Sequence, residues 1–194
     1  KIDDISGSNV NYGNDEMNLD SESSEEMIRL ASLRDFPSLM ALQRMYYVAA
    51  ERIAAPYIQP LDETTPFEYL APNGGNVLNV LWKNRSTGCI ERVRAMLERV
   101  LDGGRFKLEP IGDQLVLKIN SVDDDNYYQP VNVGYGYSYI LSLITAAVLA
   151  PSGSFIIVEN PEAHLHPAAQ AKIMNELMVV ATERDIQLIV ETHS

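Results

Sequence analysis

The stretch FIIVENPEAHLHP, residues 155–167, decides the predicted fold. Its first four residues are apolar and run directly into Glu159, which is typical of a buried strand that ends in an acid. Pro167 then opens a predicted helix that runs to about Arg184, because proline in the first helical turn sacrifices no backbone hydrogen bond. Residues 186–194, IQLIVETHS, form a second apolar run. Strand, helix and strand in this order predict a βαβ unit and therefore a parallel sheet.

Polar residues follow both predicted strands. They are Glu159, Asn160, Glu191 and His193. Because ligands of open parallel sheets bind beyond the carboxyl ends of the strands, we expect one site at this edge. Glu159 suits Mg²⁺, a hard cation that prefers carboxylate and water oxygens. His193 lies two residues beyond Glu191 and is placed to donate a hydrogen bond to charge developing on a phosphate.

Length and composition set the class of protein. With 194 residues, 46% of them hydrophobic and 22% charged, the chain fits one globular domain or a large piece of one. Its single cysteine excludes an internal disulfide framework and fits a reducing compartment. No apolar run reaches the roughly 20 residues that cross a bilayer, and the N-terminus has no signal-peptide pattern. We therefore expect a soluble, cytoplasmic protein without a membrane partner.

Negative charge is concentrated at the start of the chain. The formal net charge is −12, and residues 1–26 contribute −7 of it through eight acids and one lysine. Residues 1–24 are rich in Ser, Asn, Asp and Gly, so we expect an acidic loop or a disordered segment there. An acidic docking tail is the alternative. This charge does not indicate a broad phosphate-binding surface, although a local basic groove is compatible with a negative total.

Residues 25–130 are predicted to form a helical and β-hairpin part. Pro37 is expected to end or kink the first helix near Phe36. Residues 53–75 hold four of the ten prolines and are expected to form a long ordered loop. The other elements predicted from apolar patterns, including one beyond this part, are a helix over 25–45, a buried strand over 45–50, an amphipathic helix over Cys89–Leu101, a hairpin over 105–119 that turns at Gly112 and Asp113, and a buried helix over 139–150.

A glycine-rich stretch, NVGYGYS (residues 132–138), precedes the buried helix. One residue separates Gly134 from Gly136, and Ser138 lies near the expected start of the helix. Backbone N–H groups and a hydroxyl in this position can hold an anion. A simple tight turn explains the same pattern equally well.

Three blocks together resemble one family: NVGYGYSYILSLI (132–144), FIIVENPEAHLHP (155–167) and LIVETHS (188–194). They are similar to the C-terminal half of ABC-type ATPases of the OLD/RecF-like branch, above all to bacterial predicted ATPases with an E-N-P-E-x-H-L-H-P block. The specific motifs cover residues 131–194, and weaker similarity in YYVAAERIAAP and APNGGNVLNVL reaches back to about Met45. The resemblance implies an α/β fold: the C-terminal half of a parallel-sheet P-loop NTPase, an ABC ATPase head, with an added helical and β-hairpin subdomain.

The resemblance places two groups of residues at a contact between protomers. Gly134, Gly136 and Ser138 stand where the ABC signature loop stands, which in the family binds the γ-phosphate of ATP held by the opposite protomer. His164 and His166 match the D-loop region at the dimer seam. The family thus implies a composite site in a homodimer or a higher oligomer.

The remaining matches concern catalysis. Glu159 matches the Walker B acid that holds Mg²⁺, and His193 matches the switch histidine. Asn160 stands where the family usually has the water-orienting glutamate. An amide can orient a water but cannot accept its proton, and loss of a general base lowers a rate by about 10²–10⁴. Glu162 or Glu191 is the candidate substitute, and we expect slow hydrolysis.

One motif of the family does not occur in the chain. Nothing matches G-x-x-x-x-G-K-[ST], the loop whose amides and lysine hold the phosphates. The resemblance therefore implies that this loop precedes Lys1 or belongs to a companion chain, and that the 194 residues are a piece of a larger ATPase.

The resemblance implies a protein that binds and hydrolyses ATP with Mg²⁺. Its ATPase would drive or gate a DNA-directed or antiviral effector such as a nuclease, with DNA as a partner of the whole assembly. One alternative is a nucleotide-gated clamp that binds ATP and hardly turns it over. The other is a zinc-dependent hydrolase that uses His164, His166 and His193, since three protein ligands are usual for catalytic zinc.

Overall fold

The computed structural model describes residues 44–64, 66, 70–121 and 125–193. These residues belong to one unit, Ala41–Ser194. The acidic loop predicted for residues 1–24 lies outside the described residues, and so does the helix predicted from residue 25 with its break near Phe36.

The described residues form six strands and four α-helices. The strands are β1 (Met45–Val48), β2 (Ile58–Pro60), β3 (Arg105–Ile111), β4 (Gln114–Asn120), β5 (Phe155–Glu159) and β6 (Gln187–Glu191). The helices are α1 (Val77–Lys83), α2 (Cys89–Val100), α3 (Tyr135–Leu149) and α4 (Pro167–Glu183). Short 3₁₀ helices span Arg85–Thr87 and Pro130–Asn132.

A parallel sheet carries the predicted site. Its strand order is β1-β5-β6, which puts β5 in the middle of the described strands. Val48 of β1 pairs with Val158 of β5, and Glu159 pairs with Glu191 of β6. The helix α4 connects β5 to β6, so the predicted βαβ unit is confirmed. The strand predicted to be buried over 45–50 ends at Val48, and its first residue, Met45, is 43% exposed.

An antiparallel sheet has the order β2-β4-β3. The predicted hairpin is confirmed: β3 and β4 pair over their full lengths, and Gly112 at the turn has a φ of 62° that favours glycine. The prediction that residues 53–75 form a loop is wrong in one part, since β2 pairs with β4 there. Three residues ending in Pro60 give too short an apolar pattern to be recognised, and proline is tolerated because β2 is an edge strand.

The helices pack against the strands and bury their apolar residues in the core. The amphipathic α2 buries the face predicted for it, and the apolar α3 is almost fully buried from Ile140 to Val148. The predicted start of α3, Tyr139, is wrong by four residues, because Gly134 takes a φ of 102° that turns the chain into the helix at Tyr135. No helix in the described part of the chain is long and apolar enough to cross a membrane.

Candidate functional site

The carboxylate of Glu159 is held from two sides at the end of β5. The Tyr47 hydroxyl donates a hydrogen bond to Oε1 at 2.7 Å, and the Ala50 N–H donates one to Oε2 at 2.9 Å. Both donors come from β1 or the residues that directly follow it. These two bonds, the tyrosine's first, hold the pKa of Glu159 below its usual value. The side chain is therefore an ionised, oriented acid at neutral pH.

Asn160 continues the chain with a left-handed backbone. Its φ is 45°, a conformation that asparagine adopts more readily than most residues. Its N–H donates to the carbonyl oxygen of Glu191 at 2.9 Å, which ties the ends of β5 and β6 together. Its Oδ1 atom is buried and has no hydrogen-bond partner among the described residues. An unsatisfied buried oxygen is uncommon in proteins and needs an explanation.

Glu162 links the loop after β5 to the residues after β6. Its Oε1 atom accepts hydrogen bonds from the Thr192 hydroxyl at 2.7 Å and from the His193 N–H at 3.1 Å. The His193 ring lies outside this link, with Nε2 3.5 Å from Oε1 of Glu191. Both side chains are well exposed, so this contact contributes little to stability. The structure thus gathers the five predicted catalytic residues at the carboxyl ends of β5 and β6.

The predicted signature residues lie at the start of α3. Gly134 precedes the first turn, and Gly136 is its second residue. Ser138 is the fourth residue and is 3% exposed, and its hydroxyl donates to the Tyr135 carbonyl oxygen at 3.2 Å. In this structure the hydroxyl bonds within the helix, whereas Gly134 is exposed and Gly136 is half-buried against the His164 loop.

The two loop histidines have separate local partners. His164 has a φ of 62°, and its ring meets the edge of the Tyr139 ring at a centroid distance of 4.5 Å. His166 caps the N-terminus of α4, its Nδ1 accepting from the Ala168 N–H at 3.4 Å. Both histidines line one groove of about 510 Å³ together with Gly134 and Gly136. The predicted signature loop and the predicted seam loop are therefore neighbours.

The zinc alternative is not supported by these positions. The described residues contain no group of three His, Cys, Asp or Glu side chains arranged to hold a metal ion. His164 packs on Tyr139, His166 caps a helix, and His193 pairs with Glu191. A catalytic zinc site needs three protein ligands around one point, which these histidines do not provide.

Two residues of the site, Tyr47 and Arg52, were not predicted from the sequence. Tyr47 is the main donor to Glu159, and Arg52 is buried between the ends of β1 and β5. A signal for Arg52 exists in the stretch VAAERIAAP, where Glu51 and Arg52 are the two charged residues among apolar ones. A charged side chain in such surroundings either lies exposed on a loop or is buried with several hydrogen-bond partners. The sequence does not distinguish these alternatives, because the partners come from distant parts of the chain.

Comparison with known proteins gives one family. The family described as "AAA domain, putative AbiEii toxin, Type IV TA system" matches residues 2–194. No curated protein matches the chain.

Similar solved structures include two Smc heads. "Crystal structure of the SmcHead bound to the C-winged helix domain of ScpA" is 15% identical with a TM-score of 0.47, over 68% of this chain and 44% of that one. An Smc head domain with an extended coiled coil, bound to the C-terminal domain of ScpA derived from Pyrococcus furiosus, is 19% identical with a TM-score of 0.45, over 60% and 30%. The chain spans less than half the length of either structure.

Proposed function

The chain belongs to this AAA-domain family, and from that premise we propose that it supplies the Walker B, signature and switch elements of an ATPase head. As a family member it is a nucleotide-binding ATPase domain. The observation that carries the finer proposal is the ionised, oriented Glu159 at the end of a central parallel strand, with Glu191 and His193 at the end of the next strand. Its place in the OLD/RecF-like branch stays a prediction.

Glu159 fits Mg²⁺ by the chemistry of its donor atoms. Each carboxylate oxygen accepts one hydrogen bond, from Tyr47 or from Ala50, and keeps a further lone pair. A carboxylate held in this way can bind the ion directly or through a water, as Mg²⁺ sites commonly do. The ion, when bound with ATP, neutralises charge on the phosphates. Tyr47 and Ala50 keep the acid ionised and fix its direction.

Asn160 is the residue we assign to orienting the attacking water. Its Oδ1 atom is a buried acceptor without a partner among the described residues, and it must become accessible when the nucleotide binds, whereas Glu162 already accepts from Thr192 and His193. Glu191 lies next to His193, and both side chains are exposed to solvent. An amide oxygen orients a water without taking its proton, so turnover is slow. His193, exposed beside the strand end, is free to approach a γ-phosphate.

The start of α3 supports a composite site between two protomers. Gly134 and Gly136 line the groove, and two apolar residues near them are unusually exposed, Tyr135 at 67% and Val131 at 71%. Exposed apolar side chains beside a groove are typical of interaction surfaces. We propose that a second copy covers them when ATP is bound. The groove lined by His164 then lies at the seam.

The outer edge of β6 supports a further strand. Ile189 in the middle of β6 is 54% exposed, although strands of parallel sheets are normally covered on both faces. Among the described strands β6 has β5 as its single neighbour. We propose that a strand carrying the phosphate-binding loop pairs here, which brings the phosphates next to Glu159 and His193.

The output of the ATPase rests on the family description, which names a toxin and a type IV toxin–antitoxin system. We propose that ATP binding gates an effector, such as a nuclease acting on DNA, in defence against viruses. A clamp that binds ATP and rarely hydrolyses it is the second candidate, and Asn160 favours it. Both candidates use the same site and differ in turnover.

The test uses the full-length protein and the substitution Glu159→Gln. Wild type should bind ATP with Mg²⁺ and hydrolyse it, and a rate well below about 1 s⁻¹, the low end of typical kcat values, favours the clamp. Glu159→Gln should lose Mg²⁺-dependent hydrolysis. Glu183→Gln, an exposed acid at the end of α4, is the matched control and should behave as wild type. Wild-type protein that does not bind ATP would contradict the proposal.

A further inference from the structure

Arg52 is the only charged side chain that is buried among the described residues, with 5% of its surface exposed. Its Nη1 atom donates to the carbonyl oxygens of Ala49 at 2.9 Å and of Glu159 at 2.6 Å. Its Nη2 atom donates to the carbonyl oxygen of Asn160 at 2.7 Å. Burying a cation is costly, and burial does lower the pKa of this arginine. The three carbonyl groups compensate for the lost water.

These acceptors belong to two different strand ends. Ala49 directly follows β1, whereas Glu159 ends β5 and Asn160 follows it. One guanidinium group therefore joins the two strands at the edge where the candidate site lies. A guanidinium presents its donors in a fixed planar fork, which suits this bridging, whereas a lysine ammonium is a single point charge.

The same guanidinium contacts the start of α3. Its Cζ atom lies 5.0 Å from the centre of the Tyr139 ring, and the Tyr139 hydroxyl donates to the Ala50 carbonyl oxygen at 3.2 Å. Tyr139 also makes a T-shaped contact with the ring of His164. The contacts Arg52–Tyr139–His164 thus form a continuous chain from the strand ends to the groove.

Two buried polar atoms in this network have no partner among the described residues. They are Nε of Arg52 and Oδ1 of Asn160. Buried polar atoms without partners are rare, and at such places an occupied site often supplies the missing partner. Both atoms belong to residues already joined by the bond from Nη2. The network is therefore incomplete at the point next to Glu159.

We propose that Arg52 is a positioning residue that holds the Glu159–Asn160 peptide in a fixed relation to Tyr139 and His164. A movement of α3 or of the His164 loop, such as a second protomer would cause, is then transmitted to the acid and the amide of the site. Arg52 does not touch the nucleotide in this proposal. The inference rests on the proposed ATPase function and deepens it by naming how the groove is coupled to the site.

The first test is Arg52→Lys in the full-length protein. Lysine keeps the charge but cannot bond to both strand ends and stack on Tyr139. Misplacing catalytic groups by about 1 Å costs up to about 10²-fold in rate, so kcat for ATP should fall by about 10- to 100-fold. KM for ATP should change much less, because Arg52 lies behind the site. Arg52→Ala should regain part of its kcat in guanidinium below denaturing concentrations and none in methylammonium.

The matched control is Arg184→Lys. Nη1 of Arg184 also donates to two carbonyl oxygens, those of Ala147 and Val148, at the opposite end of α3. The Arg184→Lys variant should have a lower unfolding temperature than wild type and an unchanged kcat. If Arg52→Lys lowers kcat no more than Arg184→Lys does, or raises KM alone, the inference is wrong and the ATPase function stands. Wild type without ATP binding contradicts the proposed function and the inference with it.

Discussion

Replacing Gly136 with alanine tests the contact between the start of α3 and the loop that carries His164. A Cβ atom at Gly136 would lie 2.9 Å from the carbonyl oxygen of His164 and 3.4 Å from Cδ2 of Leu165. The first distance is shorter than real Cβ contacts, and the oxygen belongs to the backbone. The loop must therefore move for the alanine to fit.

Two opposing effects determine the size of the change. Adding a methyl group to a filled space costs about 1–3 kcal/mol. Alanine is favoured over glycine inside a helix by up to about 1 kcal/mol, and less in the first turn. The steric clash is the larger effect, and the free energy of unfolding should fall by about 1–2 kcal/mol. Since 1 kcal/mol shifts the melting temperature of a domain this size by about 2–4 °C, Gly136→Ala should melt about 2–8 °C below wild type.

Thermal unfolding followed by circular dichroism measures this shift. Gly75→Ala is the control, because its added Cβ meets a side-chain atom, Oδ1 of Asn73, at 3.1 Å. That atom can move at the cost of one exposed hydrogen bond, which it accepts from the Gly75 N–H at 3.0 Å. We expect the control to stay within about 0.5 kcal/mol of wild type. A Gly136→Ala protein that melts with wild type would refute the close packing of α3 on the His164 loop. ATP-dependent dimerisation, measured by light scattering, should weaken in Gly136→Ala alone.

Two further predictions concern the acid and the exposed histidine. Tyr47→Phe should raise the pKa of Glu159 toward 4.5. The variant should therefore be less stable than wild type above pH 4.5, and this difference should shrink as the pH falls through the folded-state pKa of Glu159. Urea unfolding on both sides of pH 4.5 measures the difference, and a difference that does not change with pH would contradict the prediction. His193→Ala should abolish phosphate release while fluorescent ATP analogues still bind, because the ring is exposed and its Nε2 atom faces the equally exposed Glu191. Unchanged turnover would show that it is not the switch residue.

Local patterns were enough to predict the central part of the fold. The apolar run that ends in Glu159, the helix after Pro167 and the last apolar run gave the βαβ unit and placed the acidic edge. The start of α3 was not predictable in this way, because Gly136 disfavours a helix and the sequence does not show the turn at Gly134. β2 was missed because three residues give no measurable alternation.

Contacts between distant parts of the chain could not be predicted from these patterns. Tyr47 reaches Glu159 across 112 residues of sequence, and Arg52 reaches Asn160 across 108. Both contacts follow from the parallel pairing of β1 with β5, which aligns Val48 with Val158 and so brings the residues after both strands together. Without knowing which strand lies beside β5, the sequence gives no reason to choose Tyr47 or Arg52.

The backbone at Asn160 explains why a glutamate is missing there. With a φ of 45°, this position is in the left-handed region, where asparagine is strongly enriched and glutamate is not. The turn is fixed on both sides, by the bond from its N–H to Glu191 and by the bond from Arg52 to its carbonyl oxygen. Backbone geometry therefore favours asparagine before any question of catalysis arises. If Asn160 orients the attacking water as proposed, this backbone requirement and not the loss of a glutamate accounts for the amide, and slow turnover is the expected consequence.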